Sequence, residues 1–373
     1  MCGNKKFGAI NCTLEVPKSR RRAIPNAVNA RCCYTVLSLA LLSCPSPQAS
    51  GIRVGLITPG SIADAAWNSA AYQGLQRIRD SLGVQVSHVE ARTPAEQAEA
   101  LRTYATQGYD LVFAHGFEFQ DAAERVSSEY PKTVFIVTSG RRARGNVAPL
   151  IFRLEEASYL AGMVAGALTR SNVLGFVGGI ELPPIRAAYQ GWRNGAVAVN
   201  RKVRSREIYL NSFDDAAAGR EAALALMRVG ADMFHHNADA AALGLFQAVK
   251  ERGGVYAFGS NADQSSLAPD RVLGSAVIDL PHAFLLVASE VRSGRFTPRV
   301  EVFGLEGGVV SYVPNPRLDT LVPPGLKARM RAATDSMIAG TLIAAPRPAT
   351  MEAVRPGSRS SHLALLDRER SLR

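Results

Sequence analysis

Past residue 44 this chain has no cysteine. All five, Cys2, Cys12, Cys32, Cys33 and Cys44, fall in the first 44 residues. The body behind them therefore cannot use a disulfide, a thiolate metal site or a cysteine nucleophile. Nucleotide and hydrolase signatures are missing as well. The loop after the first strand-like run reads TPGSIADAAWN and lacks the three-glycine dinucleotide fingerprint. There is no P-loop and no G-x-S-x-G elbow. The apolar run Tyr34–Leu42 falls well short of the roughly 20 residues that a membrane-spanning helix needs. Free charge is scarce too. The chain carries +11, but residues 1–50 account for +6 and residues 346–373 for +3, leaving about +2 for the body. A nearly neutral body argues against a phosphate-binding surface and against nucleic acid as a partner.

What is present at the start is an address. Arg31 precedes the short apolar run, which ends in Leu41-Leu42-Ser43-Cys44. That is the layout of an export signal with a lipoprotein cleavage site, and it predicts a mature protein beginning at a lipidated Cys44. A plain secretory signal cut near Ala49 is the alternative. The basic residues 1–27 make a long leader, so that translation could begin nearer Val28. Residues 346–373, rich in Pro, Ser and Arg, predict a disordered basic tail.

From residue 52 apolar strands alternate with helical spacing. IRVGLIT, VQVSHVEA, LVFAHG, TVFIVTS and APLIFR make one set. VLGFVGG, VRSREIYLNS, DMFHHNA, VYAFGSN and VLGSAVID make a second. Helices between them, one opened by Thr93-Pro94-Ala95-Glu96, predict parallel βαβ units. The expected fold is α/β with two Rossmann-like lobes and a cleft between them. Ligand-facing residues then belong to loops at the carboxyl ends of the strands.

Those loops hold Asp64, Trp67 and Asn68, then Phe117 and Asp121, then Phe213, Asp239, Asn261 and Asp263. Aromatics from two lobes can clamp a flat ring, while carboxylates and amides read its edges. Packing of Trp67 and Phe213, and helix capping by Asp64, compete with these roles. His235 and His236 are adjacent in a strand and point to opposite faces, so one of them could line a cleft, while a shared metal is not expected. His115 reads as a loop or cleft-wall residue rather than a base. Asp214-Asp215 reads as a helix cap.

Several segments resemble the basic membrane protein family, lipoproteins of the purine-nucleoside-receptor type that serve ABC importers. They include VGLITPGSIADAAWNSAAYQGL, GFEFQDAA, FRLEEASYLAGMVAGAL, GWRNGAVAVN, NSFDDAAAGREAAL and GADMFHHNADAAALGLFQAV. The resemblance implies a type I periplasmic-binding-protein fold. It also implies that a base is sandwiched between Trp67, which Asn68 follows, and Phe213, with Asp121 bonding the base. At the ribose end the chain departs from the family pattern. Asp239 stands for a glycine, Asn261 for an aspartate and Ile278 for a lysine. A base, or another flat heterocycle, therefore fits as well as a nucleoside.

Taken together, residues 1–44 are expected to be signal and 45–51 linker. Lobe 1 should comprise 52–153 plus about 281–303, and lobe 2 should comprise 154–280 plus about 304–345. The expected function is a non-catalytic solute receptor for a purine nucleoside or base. It needs no cofactor or metal, docks as a monomer to an ABC permease, and is held on a bacterial membrane by lipid. A nucleoside hydrolase using Asp121 or Asp239, and a cytoplasmic regulator, are the rival classes. The regulator needs a helix-turn-helix module, and the first fifty residues offer none.

Overall fold

The computed structural model describes residues 51–346. The leader, Cys44 and residues 347–373 lie outside the described residues. The first half of the chain runs β1 (Arg53–Thr58), α1 (Trp67–Leu82), β2 (Gln85–Glu90), α2 (Pro94–Thr106), β3 (Leu111–His115), α3 (Gln120–Ser127), β4 (Val134–Thr138) and β5 (Val147–Phe152). The second continues with α4 (Leu154–Leu168), β6 (Val173–Gly178), α5 (Pro183–Val199), β7 (Arg204–Tyr209), α6 (Ala216–Arg228), β8 (Met233–Asn237), α7 (Ala242–Glu251), β9 (Tyr256–Asn261) and β10 (Val272–Ile278). It closes with α8 (Leu280–Arg292), β11 (Glu301–Phe303), β12 (Val310–Pro314) and α9 (Pro324–Ile338).

The strands form two six-stranded sheets, ordered β2-β1-β3-β4-β5-β11 and β7-β6-β8-β9-β10-β12. The pairings are parallel apart from β12 on β10. Central strands covered by helices on both faces read as continuous apolar runs, and β3 and β5 are buried along their whole length. In the first sheet Val54 and Leu56 face α1 and α8, where Phe113 stacks on Phe284 at 4.0 Å. Ile57 and Val112 face Leu101 of α2 and Val126 of α3. In the second sheet Leu174 and Phe176 meet Tyr159 and Trp192 of α4 and α5, while Val177 and Phe234 meet α6 and α7. The two-lobed α/β reading is thus correct.

Local chemistry sets the helix starts. Thr93 Oγ1 accepts from Glu96 N at 3.2 Å and Glu96 Oε2 accepts from Thr93 N at 3.0 Å, the reciprocal cap that the sequence predicts for α2. α4 and α5 approach so closely that side chains are excluded between them. A Cβ on Gly162 would overlap Trp192 O, and one on Gly195 would overlap Tyr159 O.

Some elements escaped the sequence pattern. The segment after β3 begins with a 3-10 turn, Phe117–Phe119, before α3. β11 has three residues, β12 is a short edge strand, and α9 buries only Leu326 and Met337. Too few apolar positions repeat there to show a period.

The chain passes between the sheets at three places: from β5 into α4, from β10 into α8, and from β11 into β12. The passages are bonded to one another. Arg153 N donates to Phe303 O at 2.8 Å, Asp279 N donates to Val309 O at 2.7 Å, and Leu305 N donates to Glu156 Oε2 at 2.9 Å. No helix among the described residues is long and apolar enough to cross a membrane.

Candidate functional site

In each sheet the strand order reverses beside the first strand of its lobe, and the carboxyl ends of the strands surround one concavity. It encloses about 590 Å³ of empty space, part of it open to solvent. The first lobe supplies Trp67, Phe117, Glu118 and Phe152. The second supplies Phe213, Asn237, Asp239 and Asn261, and Ile278 closes the end of β10.

Trp67 is the first residue of α1, and its indole stacks on His115 at 4.1 Å and 25°. His115 is fully buried beneath it. Its Nε2 lies 3.1 Å from Trp67 O, and its Nδ1 lies 3.0 Å from Thr138 Oγ1. Nε2–H therefore donates to the carbonyl and the threonine hydroxyl donates to Nδ1. Burial pushes the imidazole down to about 3, so the ring is neutral. The cleft-wall expectation for His115 is corrected: it supports the wall from behind. Phe152 meets the indole edge-on at 6.2 Å and completes that wall. Opposite, Phe213 packs against Gly179, where any Cβ would overlap its ring. A glycine at the end of β6 is what lets the aromatic lie flat there.

The polar floor comes from β8 and β9. Asn261 Nδ2 donates to Asn237 Oδ1 at 3.3 Å and to Asp239 Oδ1 at 3.2 Å. Asp239 and Asn261 both adopt left-handed backbone, with φ 45° and 67°, a conformation that Asp and Asn tolerate better than other side chains. Asp239 is only 7% exposed. Desolvation raises its carboxyl well above the usual range, and the nearby charge of Asp64 adds to this. Glu118 is exposed, yet it lies in the concavity with its carboxylate folded over Gly116. Desolvation by the surrounding wall raises it too.

Three expected ligand residues are placed elsewhere. Asp64 accepts from Ala66 N, Asn68 N and Ser69 N at 3.1, 2.7 and 2.9 Å, so its carboxylate is spent on the first turn of α1. Asn68 is buried beside Gly60 rather than on the cavity wall, and its Oδ1 has no hydrogen-bond partner. Asp121 sits on the first turn of α3 with its side chain 62% exposed and accepts from Arg141 at 2.6 Å, outside the cavity lining. The cation, which the sequence pairs with nothing obvious, decides where that carboxylate goes.

His235 and His236 are both fully buried, so neither lines the cleft. His235 meets Ser158 and His236 meets Gln264, and burial lowers them to about 3 and about 4. Asp263 is taken up by Ser265 and Ser275. Asp215 caps α6 through Ala218 N at 2.9 Å, as expected, while Asp214 reaches across to Arg92 at 3.3 Å. Gln264 Nε2 also crosses, donating to Ala65 O at 3.5 Å. Among the described residues no group of three or more His, Cys, Asp or Glu is placed to hold a metal. Glu118, Phe152 and Asn237 were not singled out from the sequence. Their position at strand ends is the signal that could have found them.

Residues 52–330 match the family model described as ABC transporter substrate-binding protein PnrA-like, Bmp. The chain belongs to this family. Basic membrane protein A2 of Borrelia garinii subsp. bavariensis is 29% identical over 290 residues, covering 75% of this chain and 86% of the relative. A solved ABC transporter solute-binding protein from Conexibacter woesei superposes with a TM-score of 0.65 at 28% identity, covering 80% of this chain and 99% of that one. The transcriptional activator protein Med of Bacillus subtilis is 26% identical over 69% of this chain and 80% of its own length. The fold of this Bmp-family chain is that of type I periplasmic solute-binding proteins, and its family is one of small-molecule receptors for ABC importers rather than enzymes.

Proposed function

We propose that this protein is the extracytoplasmic receptor of an ABC importer and binds a purine base or nucleoside between its lobes. The observation that carries the reading is an aromatic from each lobe, Trp67 and Phe213, on one cavity at the carboxyl ends of the strands. Stacking on both faces suits any flat ring. Asn237, Asp239 and Asn261 supply amide and carboxyl groups for whatever the ring carries. Asp121 can take part only after it leaves Arg141. The lobes are taken as 52–153 with 281–303 and 154–280 with 304–345, and closure about the three bonded passages traps the ligand for a monomeric receptor to present to its permease. Lipid on Cys44 holds the protein at the bacterial membrane.

A thermal-shift screen of bases, nucleosides, flavins and sugars tests this, because a bound ligand raises the melting temperature by mass action. Purines are expected to give the largest shifts. A shift with sugars alone overturns the stacking clamp and returns Trp67 and Phe213 to packing.

A further inference from the structure

A cleft at the carboxyl ends of parallel strands ordinarily favours anions, because helix N-termini point into it. Here those ends are already answered. Asp64 occupies the amides of α1, Asp121 lies in the first turn of α3, Glu155 and Glu156 in that of α4, and Asp215 caps α6. Asp279 caps α8 through His282 N at 2.9 Å, and α5 opens with Pro183-Pro184, which lack N–H donors.

Side-chain cations are answered as well. The lining contains two carboxylates, Glu118 and Asp239, and no Lys or Arg. The guanidinium groups flanking it are paired: Arg141 with Asp121, Arg153 with Glu156 at 3.6 Å, and Arg186 with Glu181. His115 behind the wall is neutral. Among the described residues no ion pair reaches Glu118 or Asp239. The charges closest in effect to Asp239 are Asp64, Glu118 and Asp214, all acidic. Around these two carboxylates stand the rings of Trp67, Phe152 and Phe213, and an aromatic face attracts a cation; the Phe117 ring already carries the Arg141 guanidinium, 5.2 Å from its centroid.

We propose that the cleft selects a cationic or readily protonated flat heterocycle and turns away phosphorylated and carboxylated counterparts, with Glu118 and Asp239 reading the charge. The inference deepens the purine reading and rests on the same cleft. An incoming cation does for Asp239 what no ionic neighbour does: it stabilises the ionised carboxylate against burial. An anion finds no free cation to pair with, pushes both carboxyls further toward the neutral form, and displaces no paired arginine without breaking an existing contact.

Calorimetric binding to the full-length protein at neutral pH tests this along two ladders. One is 1-methyladenosine (cation), adenosine (neutral) and adenosine 5′-monophosphate (anion). The other is 1-methylnicotinamide, nicotinamide and nicotinate. Affinity is expected to fall at least about tenfold at each step of either ladder, the scale of one desolvated charge contact. The Glu118→Gln, Asp239→Asn double variant should compress each ladder to within about threefold. The single Glu118→Gln change, at an exposed side chain, should compress it in part and keeps the test open if the double variant does not fold. Adenosine and 1-methyladenosine binding equally, with the monophosphate close behind, overturns the charge inference and leaves the purine reading standing. The pyridinium ladder ordered by charge while no purine binds supports the charge inference and overturns the purine reading. No binding on either ladder overturns both.

Discussion

Replacing Trp67 by alanine separates the clamp from the fold. One face of the indole rests on His115 at 4.1 Å, which leaves the other face for the cavity that the ring lines. Losing one stacking aromatic is expected to weaken purine binding by about 1–3 kcal/mol, or about tenfold to over a hundredfold in Kd. The same change removes packing against His115 and Phe152. Truncating a fully buried tryptophan costs about 3–5 kcal/mol, and because Trp67 is only partly buried, about 2 kcal/mol is expected here. Trp67→Phe keeps a π face and should recover most of the affinity but less of the packing. Calorimetry with the best purine from the screen gives the first number and urea unfolding gives the second. A folded Trp67→Ala protein that binds purines within about twofold of the parent refutes the clamp, whatever its stability.

Further predictions concern the buried groups and the anchor. His115, His235 and His236 are held neutral by burial, at about 3, 3 and 4. Unfolding frees them to protonate near 6.5, so the stability they contribute is full above that pH and is lost as pH falls toward their folded values. Three protons taken up together give a slope of up to about 4 kcal/mol per pH unit near pH 5, which His235→Gln should reduce in urea melts at pH 5 and 7. Asp239 has the opposite sign. Its folded carboxyl is raised, so the ligand-free protein loses stability as pH rises from the unfolded pKa near 4 through the folded one. Asp239→Asn, which keeps the left-handed backbone tolerable, should flatten that decline and raise the melting temperature at neutral pH while weakening ligand binding. Gly195→Ala drives a methyl into Tyr159 O between α4 and α5 and should cost about 1–3 kcal/mol in urea unfolding, without changing ligand selectivity. Cys44→Ala should leave the protein unlipidated and free of the membrane fraction. An intact mass of the parent that starts at residue 50 or 51 without lipid would sink the anchor reading.

The strands were legible because their burial on both faces writes itself as uninterrupted apolar runs, LVFAH and VAPLIF above all. Trp67, Phe117, Phe213, Asp239 and Asn261 were legible from the same pattern, since a strand end fixes where its next residues point. Side chains whose direction depends on a distant partner were not. Asp121 turns to Arg141, twenty residues away, and Asp64 turns to its own helix. Nothing in the GFEFQDAA segment announces either the 3-10 turn or the arginine. His115 and His236 looked available because polar residues at a strand end usually are. Thr138 and Gln264, each from another loop or strand, satisfy them in the interior. β12 and α9 lie at the edge of the second lobe, where few positions need to be apolar.

The three passages between the sheets also bear on how the chain is made and exported. The first sheet lacks its edge strand β11 until residue 303 has emerged, and α8, which covers β1 through Phe284, arrives only shortly before it. The second sheet in turn waits for β12 at residue 314. Neither half can finish folding while the last quarter of the chain is still in the ribosome or the export channel. Completion depends on contacts far apart in the sequence, β11 on β5 and α8 on α1, which are slow to form. If the chain is exported unfolded, as the leader predicts, that delay keeps it threadable until release. Truncation near residue 300 should accordingly yield two open sheets with exposed edges, and not one intact lobe.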